Sequence, residues 1–246
     1  AEYEASIIQH FMSLNIRGIV VAPVVSAANR DLFERYSKYG AVVFIDRYFT
    51  TRCHYIVSDN LRSGRAITEH LIAQGAAPAY LASAHSIVNK SIAERQKGYQ
   101  SAMEAHGLDP LIIKPDSPPV DDIDDESFGY HTFYRYLERS KRPDALFCAT
   151  DTLALGAMRA IADNGYSIGR DIIIAGHDNL SFSAYLNPSL TTVDQPKTRI
   201  GEMAVETVVM LVNGRAKERF IHKTLKSELV LRESSLFHIG MGSKLR

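Results

Sequence analysis

A chain of 246 residues, 46% of them hydrophobic, can bury one large core or two modest ones. Its 28 basic and 28 acidic residues cancel to a net charge of +0, which argues against a segment that grips nucleic acid through a basic face. Two cysteines, Cys53 and Cys148, make neither a disulfide framework nor a zinc cluster, and no apolar run reaches the roughly 18 residues of a membrane span. That cysteine usage makes the cytoplasm the simplest compartment, and the start, Ala1-Glu2-Tyr3-Glu4, lacks the basic and apolar regions of a signal peptide.

Residues 2–15 read as an amphipathic helix, with Ile7, Ile8, Phe11 and Leu14 at helical spacing. There is no initiator Met, and a domain that opens in mid-pattern implies an upstream part. A strand over Gly18–Ala22 leads to a helix from about Asn29 to Tyr39, stopped by Gly40, and to a strand at Ala41–Ile45. A short strand near Tyr55–Val57 runs into Ser58-Asp59-Asn60, which can cap a helix over Leu61–Ala73 closed by Gly75. Ala79–Ala82 is a strand and Ser91–His106 a helix stopped by Gly107. Pro115–Asp125 is an exposed loop ahead of a helix over Glu126–Ser140. A buried strand (Ala145–Ala149) then feeds a helix with Asp151 as its cap, ending at Asn164-Gly165, and Asp171–Ala175 is a second buried strand. A helix over Thr198–Val212 and a strand near Thr224–Leu231 complete the pattern, and Phe237–Arg246 shows none. This alternation is that of βαβ units around parallel sheets.

The two buried strands deliver Thr150-Asp151 and His177-Asp178-Asn179 at their carboxyl ends, the edge where open α/β sheets bind ligands. Catalytic and cofactor signatures are missing: there is no G-x-S-x-G, no phosphate-binding Gly loop, no H-E-x-x-H and no G-x-G-x-x-G after a strand. The acidic group Asp121, Asp122, Asp124, Asp125 and Glu126 lacks the Gly and distal Glu of a calcium loop, and acidic residues there suit the positive end of the following helix. No catalytic residue, metal site or cofactor is therefore expected.

Several segments together carry a family resemblance: L-N-I-R-G-I-V-V-A-P (14–23), V-S-D-N with G-R-A-I-T-E-H-L (57–75), A-E-R-Q-K-G-Y (93–99), the block from Pro143 to Pro196, and E-L-V-L-R-E-S-S (228–235). In this order they resemble the effector-binding core of lactose/galactose repressor family regulators. The resemblance implies two Rossmann-like parallel-sheet lobes of the type I periplasmic-binding-protein kind, joined by three crossings near 75–79, 190–196 and 214–222. The first lobe would take in 1–76, incomplete and rejoined by 194–216. The second would take in 77–193, rejoined by 220–235, leaving 236–246 as a tail. A small sugar-like or other polar effector, a phosphosugar included, would bind in the cleft and favour lobe closure. Operator DNA would be bound only through an N-terminal helix-turn-helix domain outside this sequence, and the core would be a homodimer, with Leu32, Phe33 and Tyr36 of the helix Asp31–Tyr39 part of its interface unless that helix is wholly intramolecular. A periplasmic sugar-binding protein and an α/β oxidoreductase are the rival readings.

The same resemblance implies site residues. Arg95 would point a guanidinium fork at effector oxygens, unless it pairs on the helix surface with Glu94 or Glu104. Asp178 would accept hydrogen bonds from the ligand, or else serve as a turn residue before Ser181. Thr150, where relatives carry Asn, offers one hydroxyl. Asn89 and Ser91 lie in the loop entering the Arg95 helix, with Ser91 alternatively a plain cap. Arg62 would add a second cation suited to an anionic effector, or be a solvated first-turn residue. Asp124 would reach the cleft, and His177 would pack.

Overall fold

The computed structural model describes residues 2–24, 27–50, 52–83, 89–115 and 124–237. In chain order the elements are α1 (Glu2–Ser13), β1 (Gly18–Val21), α2 (Ala27–Tyr36), β2 (Ala41–Ile45), β3 (His54–Ser58), α3 (Asn60–Ala73) and β4 (Pro78–Leu81). Next come α4 (Lys90–Ala105), β5 (Leu111–Ile113), α5 (Asp125–Arg139), β6 (Ala145–Cys148), α6 (Asp151–Asp163) and β7 (Ile173–Ala175). The last are β8 (Thr192–Asp194), α7 (Lys197–Val212), β9 (His222–Leu225) and β10 (Glu228–Val230). The fold is α/β with parallel sheets, and the chain divides into two compact units.

The first unit comprises Ala1–Asp59, Val88–Ser91 and Pro196–Lys226. Its sheet runs β1-β2-β3-β9, parallel throughout. The alternation of β2 builds two half-cores: Val42 and Phe44 pack with Ile8, Leu32, Phe33 and Tyr36 of α1 and α2, while Val43 faces Ile200 and Ala204 of α7. Leu32, Phe33 and Tyr36 are thus buried within their own unit, so the helix proposed from sequence as an interface spends its apolar face internally.

The second unit comprises Asn60–Ile87, Ile92–Gln195 and Ser227–Arg246. Its sheet runs β5-β4-β6-β7, parallel, beside an antiparallel pair, β8 with β10. Helix α3, read from sequence as part of the first lobe, groups here, because Ile67 and Leu71 enter the core with β4 and β6. The strand expected near 224–231 is two strands: β9 pairs with β3 in the first unit, and β10 with β8 in the second. The three-residue strands β5 and β8 were not legible, being too short to show a period.

Two helix crossings in the second unit are closed by glycine. A Cβ on Gly64 of α3 would lie 2.3 Å from the Arg95 carbonyl oxygen, and one on Gly98 of α4 would lie 2.2 Å from that of Leu61. Gly129 and Gly156 do the same for α5 and α6. Backbone therefore meets backbone, and α4 presents Arg95 from a fixed position.

Candidate effector site

Arg95 is 2% exposed, so it is not a surface residue pairing along its own helix. Its Nε donates to Asn60 Oδ1 at 2.9 Å, Nη1 to the Ala149 carbonyl at 2.8 Å, and Nη2 pairs with Asp178 Oδ1 at 2.9 Å. The guanidinium fork suits this work because its donors are coplanar and fixed. It links the start of α3, the carboxyl end of β6 and the turn after β7 at one point.

That turn is unusual. Asp178 and Asn179 have φ of 115° and 45°, a region that side chains other than glycine seldom adopt. Neighbouring bonds hold it: the Asp178 amide donates to the Val193 carbonyl at 3.1 Å, the Asn179 amide to Thr192 Oγ1 at 3.1 Å, and Arg232 Nη2 to Asn179 Oδ1 at 2.8 Å. Backbone strain kept in place by surrounding contacts is characteristic of functional sites.

Asp178 Oδ1 is shared by three donors. Besides Arg95, it accepts from Gln195 Nε2 at 2.5 Å and bonds His177 Nδ1 at 3.0 Å. Burial alone would raise the Asp178 pKa; the charge of Arg95 and the bond from His177 outweigh it and hold the carboxyl well below the ordinary range. His177 is not simple packing: wholly buried, it also bonds Ser63 Oγ through Nε2 at 2.9 Å. Ser63, His177 and Asp178 thus repeat the hydroxyl–imidazole–carboxylate order of acyl-transfer enzymes. Here the hydroxyl and imidazole are buried and Arg95 neutralises the carboxylate, so the chain of bonds cross-links α3 to the β7 turn.

The remaining expected residues take other places. Thr150, not Asp151, caps α6, accepting from the Leu153 amide at 3.2 Å. Asp151 is the first residue of the helix and fully buried; it accepts from the Leu180 amide (2.8 Å), Ser183 Oγ (2.7 Å) and Thr192 Oγ1 (2.6 Å), yet burial still pushes its pKa up. Asp124 is the exposed cap of α5, accepting from the Ser127 amide at 2.7 Å, and that bond lowers its pKa. Asp125 and Glu126 occupy the first turn of that helix, while Asp121 and Asp122 lie outside the described residues. Asn89 accepts from the Ser91 amide at 3.0 Å, and Ser91 Oγ donates to the Asp46 carbonyl, so Asn89 rather than Ser91 caps α4. Arg62 lies on the exposed side of α3. Arg95 and Asp178 are therefore brought together directly, with Thr150 beside the Ala149 carbonyl, while Asp124, Asn89 and Ser91 serve caps and turns. Asn60, Ser63 and Gln195 join the site without having been singled out; V-S-D-N and V-D-Q-P carried the signal for Asn60 and Gln195.

Among the described residues, no group of three or more His, Cys, Asp or Glu is placed to hold a metal ion, and no helix is long and apolar enough to cross a membrane.

A parallel-sheet unit with polar groups gathered at its carboxyl edge is a ligand-binding scaffold. The chain belongs to the periplasmic binding protein-like domain family, whose model matches residues 68–235. It is 32% identical over 184 residues to the HTH-type transcriptional repressor PurR of Glaesserella parasuis serovar 5 (strain SH0165), an alignment covering 73% of this chain and 53% of that protein. It is 33% identical over 197 residues to the ribose operon repressor of Haemophilus influenzae, covering 78% and 57%. The structure resembles that of a LacI family transcriptional regulator from Enterococcus faecium with bound ribose, with a TM-score of 0.78 at 21% identity, covering 96% of this chain and 84% of that one. These relatives bear out the resemblance to the lactose/galactose repressor family, and as repressors they favour neither a transport protein nor an enzyme. The chain spans about half the length of these sequence relatives.

Proposed function

We propose that this chain is the effector-sensing core of a transcriptional repressor and that it binds a small polar, sugar-like metabolite where Arg95 and Asp178 meet. The observation that carries this reading is the buried guanidinium of Arg95, aimed at the strained carboxyl end of β7 and paired with Asp178. A fixed donor fork beside an acceptor matches vicinal hydroxyls, and a ligand that bonds both stabilises whichever conformation of the core presents them together. Operator binding belongs, in this reading, to a helix-turn-helix segment outside this sequence, acting in the cytoplasm as a homodimer.

Ribose is the first probe, since one relative is a ribose operon repressor and the Enterococcus faecium regulator holds ribose. Calorimetric titration with ribose, other pentoses and hexoses, and their phosphates is expected to yield one saturable ligand, its affinity reduced about ten- to hundredfold in Gln195→Ala and Thr150→Val. Silence across the panel, or a ligand indifferent to both variants, would refute the reading. Sedimentation at micromolar concentration tests the dimer, and a clean monomer would count against it.

A further inference from the structure

The first unit holds a cavity of about 290 Å³ built from residues that play no part in the Arg95 site. Its floor is aromatic: Phe33, Phe44 and Phe49 meet at centroid distances of 5.2–5.7 Å, and Phe220 faces His54 at 5.9 Å. Among the described residues its walls are cationic, with three arginines, Arg30, Arg52 and Arg219, against a single acidic residue, Glu34. Arg30 is engaged with Glu34 at 3.5 Å, whereas Arg52 and Arg219 have no ion-pair partner among the described residues. The other titratable groups facing it carry no countercharge. Burial pushes the Cys53 thiol up to about 11, and burial followed by the field of His222 lowers the His54 pKa, so both are neutral near pH 7.

We infer that this cavity binds a small flat organic anion, its aromatic or heteroaromatic body lying on the phenylalanines and its carboxylate or phosphate held by Arg52 and Arg219. The volume is that of a bicyclic ring with one anionic group, near the lower end of ordinary ligand pockets. The phenylalanines give the apolar burial, and the two cations reject a neutral isostere by leaving themselves unpaired.

The 246-residue chain would be titrated calorimetrically with 2-naphthoate, 2-naphthyl phosphate and the uncharged 2-naphthalenemethanol. At least one anion is expected to bind once per chain, about tenfold or more tighter than the alcohol. Tighter binding of the phosphate would point to phosphorylated metabolites and of the carboxylate to aromatic acids. The double variant Arg52→Gln/Arg219→Gln, altered only at exposed positions, should lose about tenfold in anion affinity at unchanged melting temperature. Ser37→Trp, at the exposed rim, should block all three probes. Absence of saturable anion binding, equal affinity for the alcohol, or indifference to the double variant would each overturn the inference.

Discussion

Arg95 and Asp178 form a 2.9 Å ion pair in which the Arg95 side chain is 3% and the Asp178 side chain 21% exposed. The pair ties the turn after β7 to α4. With Arg95 buried and triply bonded, Asp178→Ala strands a cation and should cost about 3–5 kcal/mol. Urea unfolding is the measurement, and a midpoint within error of wild type would contradict it. Asp178→Asn, keeping the shape and an acceptor, should lose less.

Asp151 makes the opposite trade. Asp151→Ala would leave the Leu180 amide and the Ser183 and Thr192 hydroxyls without their shared acceptor. At roughly 1–3 kcal/mol for each buried group stranded, the loss should reach about 3 kcal/mol. Thr192→Val, which removes one donor, should cost about 1 kcal/mol in the same denaturation assay.

The two carboxylates also answer acid with opposite signs. Asp178, its folded pKa depressed, contributes stability that is present above the unfolded value of about 3.9 and fades as pH falls through the lower folded value. Asp151, its pKa raised, is relieved of a buried charge on protonation, so its own term moves towards stability as pH drops. The acid limb of the stability curve should therefore flatten in Asp178→Asn and steepen in Asp151→Asn.

His54 and His70 predict a second limb. Burial lowers both folded pKa values, and for His54 the neighbouring His222 adds to the shift. The unfolded chain thus takes up protons first as pH falls through about 6.5, and stability decreases from there towards the folded values. The Nδ1 of His54 accepts from the Ile221 amide at 3.1 Å, a bond that its protonated form cannot accept. Melting curves between pH 8 and 5 should show the decline, and His54→Gln should reduce it.

The α/β alternation was legible because α3, α4, α6 and α7 each carry a stop: Gly75, Gly107, Gly165 and Gly214 all have positive φ at helix ends. The edge bearing Thr150 and Asp178 followed from reading β6 and β7 as buried strands. Less legible was which unit a helix joins, since the apolar stripe of α3 shows that Ile67 and Leu71 are buried but not against what. Caps slipped by one or two residues because Thr150-Asp151 and Asn89-Lys90-Ser91 each offer competing oxygens, and only geometry chooses. His177 read as packing because its polar partners, Ser63 and Asp178, include one from a distant helix.

The Gly64–Gly98 crossing carries a lesson for anyone wishing to redesign the surroundings of Arg95. A single added methyl group at either position would meet main chain rather than a side chain that can swing aside. Mutagenic libraries aimed at new ligands should therefore hold both glycines constant and diversify Thr150 and Gln195. Deep mutational scanning is expected to reveal the seam as two intolerant positions, with Arg62 and Arg65 on the exposed side of α3 more permissive, an arrangement in which variation is cheap on one side of a helix and forbidden on the other.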